Sequence, residues 1–73
     1  MTYNGHPSYN YWNVALWIGN DEGLYRMAID YIRTSKTRDR AARHMAAMLA
    51  GEKTPDGARY NYTCIREALT GLE

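Results

Sequence analysis

The chain has one cysteine, Cys64, so no internal disulfide can form. Secreted domains of this size usually carry several bridges. No apolar run approaches the ~20 residues needed to cross a bilayer, and no leader-like segment precedes the first polar residues. The expectation is a protein of a reducing cytoplasm, with no membrane among its partners. Phenylalanine is absent, proline occurs twice, and the six glycines are dispersed, with none opening a strand-to-helix phosphate loop. Formal net charge is only +1, well short of the basic excess usual in DNA-binding domains. The Asn61-Tyr62-Thr63 sequon has no meaning without secretion.

What remains is a chain of 73 residues, 45% hydrophobic, read as a single small globular domain over 1–73. Domains this small are marginal and must use nearly all their apolar surface for cohesion. Seven Tyr and two Trp are the large rings available. Each buries a large area, and the phenol hydroxyls place them at the rim of a core.

Along the chain, residues 1–10 read as an irregular arm, with an Asn4-Gly5 turn and Pro7. Residues 11–18 are apolar except for Asn13 and are too short for periodicity to separate helix from strand. A helix fits better, capped by Ser8 or Asn10 and ended by Gly19-Asn20. If Asn13 is buried, its amide is expected to bond the backbone of the arm. Asn20 is the expected N-cap of a second helix, with Asp21 and Glu22 favoured by its positive end. That helix runs to about Thr34, with Leu24, Ala28, Tyr31 and Ile32 on the inner stripe, widened by Tyr25 and Ile29.

Thr37 or Ser35 caps a third helix over roughly 38–50, whose buried face is Ala41, Ala42, Met45, Met48 and Leu49. Gly51 ends it. Residues 51–58 form a loop around the turn Thr54-Pro55-Asp56-Gly57, in which the Asp56 side chain is expected to bond local backbone. A last helix covers about 61–71, with Cys64 or Ile65, Ala68, Leu69 and Leu72 inward. The fold class expected is all-α, a compact bundle of about four short helices with an irregular N-terminal arm. The alternative is α+β, with a small hairpin built from 11–18 and 60–65.

No constellation for catalysis emerges. His6, His44 and Cys64 lack the spacing of a zinc site. Cys64 sits among apolar residues, where a small buried thiol is the usual occupant. Asp21 and Glu22 are explained by the helix dipole. The chain is expected to be no enzyme, with no metal and no cofactor.

Charge is uneven, however. Lys36, Arg38, Arg40 and Arg43 stand against Asp39 alone, a local net of +3. Such a run is either a solvated helix face, a contact for an acidic protein surface, or a grip on nucleic-acid phosphates. Trp12 and Trp17 lie five residues apart, so on a helix their rings diverge by roughly 140°. One packs inward, and the other lies at a rim where it can anchor a partner or a second copy. The expected partner-binding residues are Lys36, Arg38, Arg40, Arg43 and Trp17.

The run Tyr3-Asn4-Gly5, then Trp12-Asn13-Val14-Ala15-Leu16-Trp17-Ile18-Gly19-Asn20-Asp21-Glu22-Gly23-Leu24-Tyr25, resembles a group of small proteins encoded by bacteriophages and other mobile elements. They share a Tyr-Asn-Gly turn, a short spacer, then Trp-x-Val-x-Leu-Trp-Ile and an Asn-Asp break. Tyr11 departs from the pattern, which has Thr before the first Trp. The resemblance covers the first third of the chain and implies provenance rather than chemistry: a phage product acting inside a bacterium. Proteins of this kind include anti-CRISPR and anti-restriction inhibitors, which occupy a surface on a host complex. The resemblance thus implies a non-enzymatic inhibitor of host defence whose partner is a host protein or ribonucleoprotein complex. Two other readings stay open: a nucleic-acid-binding modulator, and a phage accessory protein that associates with itself, for instance as a homodimer.

Overall fold

The structure, a computed structural model, describes residues 8–72. It is an all-α bundle of four helices: α1 (Tyr9–Asn20), α2 (Glu22–Thr34), α3 (Arg38–Met48) and α4 (Tyr62–Thr70). Residues 11–18 lie wholly within α1, so the α+β alternative falls. Among the described residues the one β-type feature is an isolated antiparallel bridge between Lys53 and Arg59. The Tyr3-Asn4-Gly5 turn, Pro7 and His6 lie outside the described residues, whereas Tyr9 and Asn10, read as arm, open α1.

Each helix begins on a side-chain cap that accepts an otherwise orphaned N–H. Ser8 accepts from Tyr11, Asp21 from Leu24, Thr37 from Arg40 and Asn61 from Cys64. The cap of α2 is therefore Asp21, not Asn20, which is the last residue of α1. Asp21 works in both directions: its backbone N–H closes α1 on the Trp17 carbonyl at 2.9 Å, and its carboxylate opens α2. One residue can do this because its extended backbone (φ −91°, ψ 120°) breaks the first helix while presenting the side chain to the second. Asn20 has the right chemistry but sits one position too early.

α3 is closed by Leu49, and Gly51 follows with φ +83°, a conformation that disfavours a side chain. The core joins Val14 and Ile18 of α1, Ala28 of α2, Ala41, Ala42 and Met45 of α3, and Cys64, Ile65, Ala68 and Leu69 of α4. Leu49, Ala58 and Tyr60 from the α3–α4 connection complete it. α1 packs on α2 and α4, and α3 packs on the same two helices, so the chain runs round the bundle in sequential order. The three alanines let α2 and α3 approach closely without displacing larger side chains.

Two residues of the expected core lie outside it. Met48 is 62% exposed and Tyr25 40% exposed. Ala41, seven residues earlier and so only ~20° away round α3, is fully buried, so direction round the helix does not expose Met48. Met48 is the last residue of α3, and its cover depends on what packs at that end of the helix. Leu72, expected inward, is half-buried against the core.

Replacing the double cap tests this description. Asp21→Ala should cost about 1 kcal/mol, read as a lowered urea midpoint. Asp21→Ser, which keeps an acceptor, should retain most of the stability.

Candidate partner-binding face

The connection between α3 and α4 is irregular, yet it is tied down. Thr54, Ala58 and Tyr60 are buried. Buried backbone without helix or sheet partners must find bonds elsewhere. Thr54 supplies several: its N–H donates to the Ala58 carbonyl at 2.7 Å, its carbonyl accepts from Gly57 N–H at 2.8 Å, and its hydroxyl accepts from Ala58 N–H at 3.0 Å. Gly57 takes φ +92° to close the turn.

The Thr54 hydroxyl donates in turn to Asn13 Oδ1 at 2.5 Å. Asn13, fully buried on α1, donates through Nδ2 to Asp56 Oδ2 at 2.9 Å. Trp17, one turn further along α1, donates its indole N–H to that same oxygen at 2.9 Å. The two polar handles of α1 thus hold one carboxylate. Residues 1–7 of the arm, where a bond from Asn13 was expected, lie outside the described residues, and Asp56 bonds α1 side chains rather than local backbone, because the turn Thr54–Gly57 presents its carboxylate to α1. The Asn13 bond, then the Trp17 bond, holds the Asp56 carboxyl below the usual carboxylate range, against a small opposing effect of burial.

The basic run divides. Arg38 is half-buried and its guanidinium donates to the carbonyls of Leu69, at 2.9 Å, and Leu72. It closes the C-terminal end of α4, where unpaired carbonyls attract a cation. Arg43 pairs with Asp39 one turn back at 2.9 Å and lies 5.1 Å over the ring of Tyr62, whose hydroxyl donates to the other Asp39 oxygen. The Tyr62 bond, then that of Arg43, lowers the Asp39 carboxyl, and the Tyr62 phenol is raised chiefly by the same bond to Asp39. The Arg43 side chain is still 67% exposed. Lys36 and Arg40 are exposed, and no described residue pairs with either charged head.

Trp17 is not gathered with these cations. It is bonded to the loop beyond α3's C-terminal end, whereas they cluster at α3's start. Trp12 is half-buried and stacks on Tyr9 with ring centroids 5.7 Å apart.

The outward face of α3 is Arg40, Arg43, His44, Ala47 and Met48, all exposed. His44 lies 3.5 Å from the Ser35 hydroxyl and 5.8 Å from the Tyr31 ring, so the face continues onto the end of α2. Helix arithmetic finds this stripe once Ala41, Ala42 and Met45 are placed inward. What it misses is Met48, whose hydrophobicity argued for the core.

Other sites offer less. Cys64 is buried, which raises its thiol and keeps it a poor nucleophile. An open groove of about 350 Å³ on α2, lined by Tyr25, Arg26, Ile29, Asp30 and Arg33, is shallow, and Arg26 is drawn aside to Glu22 at 2.6 Å. Among the described residues no group of three or more His, Cys, Asp or Glu is placed to hold a metal ion. No described helix is long and apolar enough to cross a membrane.

A family of unknown function (DUF7249) matches the chain over residues 1–70. No curated protein and no solved structure matches it.

Two outcomes check the α1–loop lock. Asn13→Ala leaves the Thr54 hydroxyl without its acceptor and should cost about 2 kcal/mol, lowering the thermal midpoint by on the order of 10 °C for a domain this small. For Asp56 the folded-state pKa lies below the unfolded value of about 3.9. Its stabilising contribution is therefore complete above that value and is lost as pH falls through the folded one. Asp56→Asn should be less stable at neutral pH and should lose less stability than the parent protein between neutral pH and about pH 2. Denaturant curves at stepped pH read both.

Proposed function

The chain belongs to the family of unknown function DUF7249, and we propose that it is a phage-encoded, non-enzymatic inhibitor that binds a host defence complex. The observation that carries this reading is the outer face of α3. In a bundle that satisfies its buried polar groups internally, Lys36 and Arg40 keep their charges in water, and Arg43 adds a half-neutralised third. Cations held clear of the fold's own carboxylates steer and select an oppositely charged partner. The resemblance carried by the Trp-Asn-Val-Ala-Leu-Trp-Ile run supports a partner inside an infected bacterium, and a small rigid domain inhibits most simply by covering a surface.

Within this reading the contact residues divide into two kinds. Lys36, Arg40 and Arg43 meet the partner. Arg38 and Trp17 shape the surface from within, by holding the end of α4 and the α3–α4 loop. A nucleic-acid reading has weaker support. The face ends on Met48, which is 62% exposed and has no use for phosphate.

The test mixes the purified protein with reconstituted CRISPR and restriction complexes and follows co-elution and nuclease activity. The expected result is co-elution with loss of activity. Lys36→Glu with Arg40→Glu should weaken the complex by at least about tenfold while the helical circular-dichroism spectrum is kept. Unchanged binding by that variant overturns the role of the face. Association with duplex DNA alone, falling steeply with salt, or a stable oligomer without any partner, overturns the inhibitor reading itself.

A further inference from the structure

The outer face of α3 is not uniformly charged. From Arg40 to Met48 it runs ~12 Å along the helix. Its first turns carry Arg40, Arg43 and His44, and its last carries Ala47 and Met48. Met48 is the most exposed of the large hydrophobic side chains, at 62%, against 40% for Tyr25 and 38% for Tyr9. It sits one position from Ala47, the smallest side chain of the stripe. A solvated helix face normally gains a polar residue at such a position, and an exposed Met beside a small residue suits an adaptable apolar contact. The one acid on the cationic part, Asp39, is already bonded by Arg43 and Tyr62, so it offers little repulsion to an incoming carboxylate.

Resting on the reading above, we infer that this face docks an acidic amphipathic helix of the partner protein. A partner carboxylate meets Arg40, Arg43 flanks it at the margin of the contact, ~140° round the helix from Met48, and an apolar side chain about two turns further along covers Met48. The spacing follows from helix geometry. Two helices packed side by side share the same rise, so groups ~12 Å apart on α3 face groups about eight residues apart on the partner. Ala47, one position before Met48, lets the partner backbone approach closely at the apolar end. A nucleic acid fits only half of this face: phosphates answer the cations but leave Met48 in water. Charge sets the encounter and orientation, and Met48 provides the part of the contact that excludes water.

The probe is a synthetic helical peptide of about 15 residues, with Glu at two positions one turn apart and Leu about two turns beyond the first. A control peptide has Ser in place of Leu, and a second control is duplex DNA of similar charge. Methionine-methyl NMR reads the contact, with Met48 as reporter and the fully buried Met45 as internal reference. The Leu peptide should shift the Met48 methyl and leave Met45 in place. Met48→Ala should weaken it about five- to tenfold, and Arg40→Glu should weaken it more. Weakening by Arg40→Glu of a peptide that never shifts the Met48 methyl, equal binding by the Ser peptide, stronger effects from DNA, or no binding up to about 1 mM each overturn the inference.

Failure here is separable from failure of the function. If Met48→Ala binds and inhibits a defence complex as the parent does while the Lys36/Arg40 reversal does not, the inhibitor stands and this docking mode falls. If the peptide binds as described and no defence complex does, the reverse holds.

Discussion

Asn13 and Trp17 close on a single carboxylate oxygen of Asp56, and the rest of the molecule is arranged around that contact. The connection from α3 to α4 has no regular structure to satisfy its backbone, yet it must fill the space that Ala58 and Tyr60 occupy in the core. A buried amide unpaired at this point is costly. The chain resolves this with a relay: Ala58 N–H to Thr54, Thr54 hydroxyl to Asn13, Asn13 to Asp56, with Trp17 as second donor. Because Asn13 and Trp17 sit one turn apart on α1, the relay also sets where α1 lies against the loop and so against α4. In so small a bundle, where apolar burial alone is barely sufficient, this polar lock ties the α3–α4 connection to α1.

A similar division governs the charged residues. Arg38 is held by the end of α4, and Asp39, Arg43 and Tyr62 bond one another along the α3–α4 seam. These contacts set α4 against α3 and leave a narrower outward surface than the basic run suggests. The cations left at its edge, together with Met48, carry the proposed function. Surface ion pairs contribute little to stability, so Lys36 and Arg40 are not held in place by any need of the fold.

Much of the fold was legible. Apolar residues at helical spacing marked α2, α3 and α4; local chemistry gave the Thr54–Gly57 turn and narrowed two caps to a pair each, Ser8 or Asn10 and Thr37 or Ser35, of which the structure uses Ser8 and Thr37. The short run 11–18 was ambiguous because a fully buried helix and a fully buried strand are equally apolar, and only packing on two neighbours distinguishes them. Asn20 and Asp21 are both good caps, so the one-residue error at α2 was chemically invisible. Of the candidate face, the outward stripe of α3 was readable from its period. Not legible were the internal bonds of Arg38, to backbone carbonyls 31 and 34 residues away, and of Trp17, to a carboxylate 39 residues on.

By itself, then, the amino-acid order determined α2, α3 and α4, the Thr54–Gly57 turn, and which positions of each helix are apolar, since those depend on neighbours within a turn or two. Only the tertiary structure decided which polar residues are consumed inside the molecule. Asn13, Trp17, Arg38 and Asp56 each bond a group distant along the chain, and no local pattern records that meeting. Met48 is exposed for a related reason: it is the last residue of α3, and whether that end is covered is settled by the neighbours rather than by hydrophobicity.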